Sequence, residues 1–167
     1  MTTDAAFERA YSQYLPAVSA YLARRVEYRF VEDLAADVFA VAWTKRGTVA
    51  EGEELPWLYR VSANLVSNHR RRQATGASVL QLLRTPDTAP SAEDIVIADE
   101  SLAGAWRALK ARDREVLALA LLEDLPIASI AASLGVSPNA VSIRLHRARK
   151  TLAELLAGDE RTAPRPT

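Results

Sequence analysis

Apolar residues recur every three or four positions over most of the chain, a spacing that predicts helices and an all-α fold. Phe7, Tyr11, Tyr14, Val18, Tyr21 and Leu22 mark a first helix over about residues 4–26. Pro16 lies inside it and predicts a kink or short break, since proline lacks a backbone donor and crowds the preceding turn. A second helix, about 31–46, is apolar on two sides, with Leu34, Val38 and Val41 on one and Phe39 and Trp43 on the other. Such a helix sits between neighbours. Its remaining stripe is Asp33, Asp37, Ala40 and Thr44. A polar loop at 47–54 leads into a third helix, about 56–73, that turns Leu58, Val61 and Leu65 inward. Its other side offers Arg60, Ala63, Ser67, Arg70 and Arg71, flanked by Asn64, with Trp57 and Tyr59 at its start.

The periodicity lapses over residues 74–90, where Gly76, Pro86 and Pro90 mark a linker, although the apolar residues 79–83 leave room for a turn or a docking contact. A capping-box pattern at Ser91 to Asp94 then predicts a helix with Ile95, Ala98, Leu102, Trp106 and Leu109 inward. A short helix over about 112–123 carries Val116, Leu117, Ala120 and Leu121 inward. The pattern thus divides the chain into two small helical domains, 1–73 and 91–157, joined by a flexible acidic linker and followed by a frayed tail at 158–167.

Residues 125–156 read as a helix-turn-helix. Ile130, Ala131 and Leu134 face inward on its first helix; Gly135 supplies the positive φ that ends it, and Val136 plugs the corner. Ser137 followed by Pro138 is an N-cap with proline at the first helical position. In the helix that follows, Val141, Leu145, Ala148 and Leu152 share one stripe. Asn139, Ile143, His146, Arg147 and Lys150 lie opposite, with Ser142 and Arg144 on the flanks. An amide-bearing, basic face of this kind suits phosphates and base edges in a major groove. The alternative is an ordinary surface helix with solvated arginines.

Charge sharpens this picture. The chain has 21 basic and 21 acidic residues and no formal net charge, which argues against a uniformly basic nucleic-acid binder. The charges are segregated, however: Arg60, Arg70, Arg71 and Arg72 form one acid-free block and the last helix a second, while Asp87, Glu93, Asp94, Asp99 and Glu100 lie between them. Two basic surfaces across an acidic connector imply two contacts with one polyanion. Without cysteine, disulfides, thiolate metal sites and cysteine nucleophiles are excluded. His69 and His146 both stand beside arginine, so neither a metal site nor a catalytic triad is expected, and no cofactor. Neither a secretory signal nor a membrane-spanning run is evident, so the expected location is the cytoplasm, without membrane insertion. Asp33 and Asp37 are paired carboxylates, but no pocket signature accompanies them; a solvated helix face is the plainer reading than acid–base catalysis. Trp57 divides evenly between a core residue and a stacking partner for an unstacked strand.

The ordered strings EDLAADVFAVAW, PWLYRVSANLVSNHRRR, DREVLALALLEDLPIASIAASLGVS and AVSIRLHRARKTL resemble the extracytoplasmic-function (ECF) group of bacterial sigma factors over about residues 4–156. The resemblance implies a region-two domain (1–73) whose Asp33, Asp37, Ala40 and Thr44 contact core RNA polymerase. It implies that residues 47–54 accept a flipped base of the −10 element and that Arg60, Asn64, Ser67, Arg70 and Arg71 hold the opening strand. It also implies a region-four domain reading the −35 element of promoter DNA through Asn139, Ser142, Ile143, Arg144, His146, Arg147 and Lys150. By family analogy an anti-sigma factor is a further partner. Pro126, Ala128, Ser129, Ser142 and Ile143 depart from the usual pattern, leaving the recognition face less basic and more apolar. Two other readings are a stand-alone helix-turn-helix regulator, which would need a ligand pocket or dimerising helix, and an enzyme acting on nucleic acid, for which no catalytic constellation is present.

Overall fold

The computed structural model describes residues 3–76 and 99–160, and everything described is helix or connecting turn. The linker, the capping box at Ser91 to Asp94 and the inward positions Ile95 and Ala98 lie outside the described residues. Helix α1 spans Asp4–Ala23, α2 Val31–Lys45, α3 Glu54–Gly76, α4 Glu100–Ala108, α5 Ala111–Leu121, α6 Ile127–Leu134 and α7 Pro138–Glu160, with a 3-10 turn at Tyr28–Phe30 before α2.

Thr3 caps α1 by accepting from the backbone N–H of Ala6 at 3.2 Å. Of the kink or short break expected at Pro16, the break does not occur: α1 continues through it. Pro16 and Ser12, whose carbonyl loses its partner, both lie on the exposed side, where water can replace that partner. The buried Val18, Tyr21 and Leu22 hold the turns that follow. Helix α3 begins at Glu54, ahead of the expected proline start, and runs three residues past residue 73.

At the other end, Asp99 caps α4 and accepts from Leu102 N–H at 2.9 Å. Leu109 is inward as expected, yet it ends α4 in extended conformation. The guanidinium of Arg114 then donates to the carbonyls of Arg107 and Leu109 at 2.7 and 2.6 Å, tying the α4–α5 corner. Leu121 is 55 % exposed and not inward, because α5 ends there and the chain turns through Asp124 at φ 49. Helix α7 continues to Glu160, so residues 158–160 belong to it and not to the expected tail.

Both expected punctuation marks of the helix-turn-helix are present. Gly135 takes φ 67 and ends α6, and Ser137 Oγ accepts from Ala140 N–H at 3.2 Å. Val136, expected to fill the corner, is 36 % exposed. Replacing Gly135 by alanine should cost about 1 kcal/mol in urea unfolding, the strain of a left-handed non-glycine residue, since an added Cβ meets only Arg60 Nη2 at 3.7 Å. A neutral substitution would show that the turn relaxes to another geometry.

The two halves pack against each other. One apolar cluster includes Val18, Leu22, Val38, Phe39, Leu58 and Val66 from α1–α3 and Trp106, Val116, Leu117, Ile130, Val141 and Ala148 from α4–α7. Helix α6 packs on α3, which joins the two halves.

Candidate nucleic-acid and partner surfaces

The last helix presents two different faces. Val141, Leu145 and Ala148 are buried and Leu152 half-buried, as the stripe predicts. Asn139, Ser142, Ile143, His146, Arg147 and Lys150 are exposed, with Ile143 50 % exposed at the centre of the face. Ser142 spends its hydroxyl on the Pro138 carbonyl at 3.1 Å. Lys150 approaches Glu154 one turn on, at 3.9 Å, a distance at which an exposed pair is weak and easily exchanged for a phosphate. Arg144 is half-buried and turns towards α3. The arrangement therefore offers a ridge of amide, imidazole and guanidinium donors around one aliphatic side chain.

On α3 the outer residues divide by use. Asn64 is exposed and Ser67 half-buried. The Arg60 guanidinium donates to the Ala132 carbonyl near the C-terminus of α6. Arg70 donates to the Arg25 carbonyl at 2.8 Å, and Arg71 to the Asn68 side chain. Tyr59 is only 2 % exposed and Trp57 half-buried, so the expected aromatic flank of this surface belongs to the core. A cleft of about 440 Å³ opens between the halves, lined by Arg60, Asn64, Arg112, Glu115, Gly135 and Arg144 among others.

Helix α2 keeps Asp33, Asp37, Ala40 and Thr44 all exposed in one stripe, because Leu34, Val38, Phe39 and Ala42 take the other sides into the core. Thr44 Oγ1 donates to the Val41 carbonyl at 2.8 Å, leaving two carboxylates as the charged features of the face. Next to it Trp43, 40 % exposed, carries Arg46 over its ring at 3.9 Å.

A cluster that the sequence reading passed over lies between α1, α3 and α5. Arg25 is fully buried and Glu115 is 1 % exposed. Arg25 Nη2 donates to Glu115 Oε1 at 3.0 Å, and Tyr21 O–H to the same oxygen at 3.1 Å. Arg25 Nη1 donates to the Tyr21 carbonyl at 3.0 Å, with the guanidinium 3.5 Å from the Tyr21 ring centre. Nearby, Arg24 pairs with Glu123 at 2.7 Å, and Tyr59 O–H donates to Glu123 at 3.3 Å. Burial raises the Tyr21 and Tyr59 phenols, and the neighbouring carboxylates add to the rise, so both stay protonated as donors. Burial also pushes the Glu115 carboxyl up, against the opposing pull of Arg25. The signal was present in the pattern: Arg25 continues the buried stripe of Val18, Tyr21 and Leu22, and Glu115 that of Ala118 and Leu119, so each charge stands where an apolar residue is expected.

Among the described residues no group of three histidine, aspartate or glutamate side chains is placed to hold a metal ion, and no helix is long and apolar enough to cross a membrane.

Residues 10–75 match the family model for Sigma-70 region 2, and residues 100–152 that for Sigma-70, region 4. The chain is 31 % identical over 164 residues to the ECF RNA polymerase sigma factor BldN of Streptomyces coelicolor, covering 93 % of this chain and 62 % of that protein. It is 31 % identical over 156 residues to the RNA polymerase sigma factor CarQ of Myxococcus xanthus, covering 90 % and 89 %. Among solved structures it is similar to CnrH in complex with the cytosolic domain of CnrY, with a TM-score of 0.63, 25 % identity and coverage of 95 % and 92 %. The fold also resembles that of RpoE in complex with the anti-sigma factor NepR from Bartonella quintana, with a TM-score of 0.65, 24 % identity and coverage of 90 % and 96 %.

Proposed function

Because this chain belongs to the ECF group of RNA polymerase sigma factors, we propose that it binds core RNA polymerase, directs it to specific promoters and assists DNA opening. The observation that carries this reading is the pairing of two surfaces in the order the family requires: an acidic exposed stripe on α2 and a basic exposed ridge on α7. The proposed division is residues 1–73 for polymerase binding and −10 recognition, 74–90 as linker and 91–157 for −35 recognition. Asp33, Asp37, Ala40 and Thr44 meet the polymerase; Arg60, Asn64, Ser67, Arg70 and Arg71 hold the melted strand; Asn139, Ser142, Ile143, Arg144, His146, Arg147 and Lys150 face the upstream duplex. Arg70 and Arg71 must exchange their internal acceptors for phosphate in that role.

The protein acts through binding, in the cytoplasm, and performs no covalent chemistry of its own. The likeness to CnrH, which was solved with the cytosolic domain of CnrY, supports an anti-sigma factor as a third partner. Run-off transcription of a genomic library by purified core polymerase, with and without the protein, tests the proposal: new start sites sharing paired upstream and downstream elements are expected. Unchanged transcription would overturn it.

Asp37→Lys tests the docking face. At an exposed site its effect on folding stays within about 0.5 kcal/mol, while like charges across a protein interface weaken binding by at least about tenfold. Pull-down of core polymerase at unchanged melting temperature measures it. Undiminished binding would move the docking face off this stripe.

A further inference from the structure

The cleft between the two halves collects cations from three helices. Arg60 of α3, Arg112 near the start of α5 and Arg144 of α7 all line it. Among the described residues that line it, Glu115 is the carboxylate; it is 1 % exposed and already paired with Arg25 at 3.0 Å, so its charge is spent below the three arginines. The Arg60 guanidinium is oriented by the Ala132 carbonyl, which accepts from Nη2, and an arginine keeps further N–H donors in its fork after one such bond. Arg112 is exposed and Arg144 half-buried. The rest of the wall is neutral, with the amide of Asn64 and the apolar Leu134 and Val136. At about 440 Å³ the cleft falls within the range of about 300–1,000 Å³ found for small-molecule sites.

We propose that this cleft binds a nucleoside diphosphate, its phosphates held by Arg60, Arg112 and Arg144 and its base set against Leu134 and Val136, with Asn64 supplying an amide to the base edge. Guanidiniums present planar donor forks that match phosphate oxygens, and two adjoining phosphates carry enough charge to engage three of them. An inorganic anion alone would leave the apolar wall uncovered, and a neutral nucleoside would leave the cations unused. The Asn64 amide both donates and accepts, as a base edge requires. The assignment goes beyond the sigma-factor reading and does not depend on it. Arg112 stands outside the residues proposed for DNA, which makes it the discriminating position.

Isothermal titration calorimetry of the full chain tests the site with ADP, GDP, pyrophosphate and adenosine as probes, at about 0.15 M salt, where screening over about 8 Å suppresses diffuse anion binding. ADP or GDP should bind one to one, pyrophosphate at least about tenfold more weakly because it leaves the apolar wall empty, and adenosine without saturation. Arg112→Gln, at an exposed position, should weaken the nucleotide at least about tenfold, the loss of one charge-assisted hydrogen bond. Val136→Glu, which sets a carboxylate on the cleft wall, should weaken it as well, and an unchanged melting temperature of both free variants separates binding from folding. Arg147→Ala combined with Lys150→Ala, on the exposed ridge outside the cleft, should leave nucleotide affinity unchanged. Binding lost with the ridge pair and kept in Arg112→Gln would place the anion on α7 and overturn the site. So would pyrophosphate binding as tightly as the nucleotides, or no saturable binding of either ADP or GDP.

Discussion

Arg25→Ala is expected to destabilise the fold by about 3–5 kcal/mol, the cost of leaving a carboxylate buried without its cation. Glu115 is 1 % exposed, and its remaining donor, the Tyr21 hydroxyl at 3.1 Å, is neutral and cannot replace a guanidinium. Glu123, 3.7 Å from Arg25, also loses part of its surroundings. The informative companion is the double variant Arg25→Met with Glu115→Leu. Two apolar residues of similar volume remove the desolvation cost together with the attraction, so stability should recover most of the loss or exceed that of the wild type. Urea unfolding of both variants, followed by circular dichroism, measures the difference. A double variant as unstable as the single one would show that Tyr21, Arg24 and Glu123 hold the site as one network that tolerates no apolar replacement.

The second large effect is expected at Arg147. It lies on the exposed ridge of α7 beside Ile143, one turn before Lys150 on the same side. A guanidinium paired to a guanine edge discriminates by about 1–3 kcal/mol, or roughly 5-fold to 150-fold, at a single base position. Arg147→Ala in the holoenzyme should therefore flatten preference at one position of the upstream element and leave the others intact. Lys150→Ala, at a phosphate, should instead lower activity evenly across sequences and reduce the salt slope by about one. Ile143→Ser should cost less than either unless it meets a thymine methyl. A promoter library randomised in the upstream element, transcribed by each variant, separates these outcomes. An even loss for Arg147→Ala would make it a positioning contact and not a base reader.

The features legible in the sequence were those whose cause is local. Gly135 ends α6 because only a residue without Cβ takes φ 67 without strain, and Ser137 with Pro138 opens α7 because a side-chain acceptor and a fixed φ favour that end of a helix. The exposed stripe of α2 followed from apolar residues on its other sides. Non-local packing was not legible. Leu121 and Val136 continue apolar patterns yet reach solvent, and Tyr59, at the start of the basic row of α3, is buried against the Tyr21 ring with its hydroxyl on Glu123. Periodicity marks a face but cannot say which distant helix arrives there. Pro16 shows the same limit from the other side: its local cost is real, but burial of Val18, Tyr21 and Leu22 maintains the helix beyond it. For the proposed DNA-facing residues of α3, sequence identified the row, while the partners of Arg60, Arg70 and Arg71 emerged only from the packed structure.

The polar character of the seam between the halves also bears on synthesis. Arg25 precedes Glu115 by 90 residues, so at about 5–20 residues per second its guanidinium leaves the ribosome about 5–20 s ahead of its partner carboxylate. What waits at that seam is a guanidinium, two phenol hydroxyls and the carbonyl of Pro56. Water solvates such groups well. Until α5 and α6 arrive, the unfinished molecule therefore presents these hydrated groups beside the apolar residues of the shared cluster, which breaks up the aliphatic surface it shows to other chains.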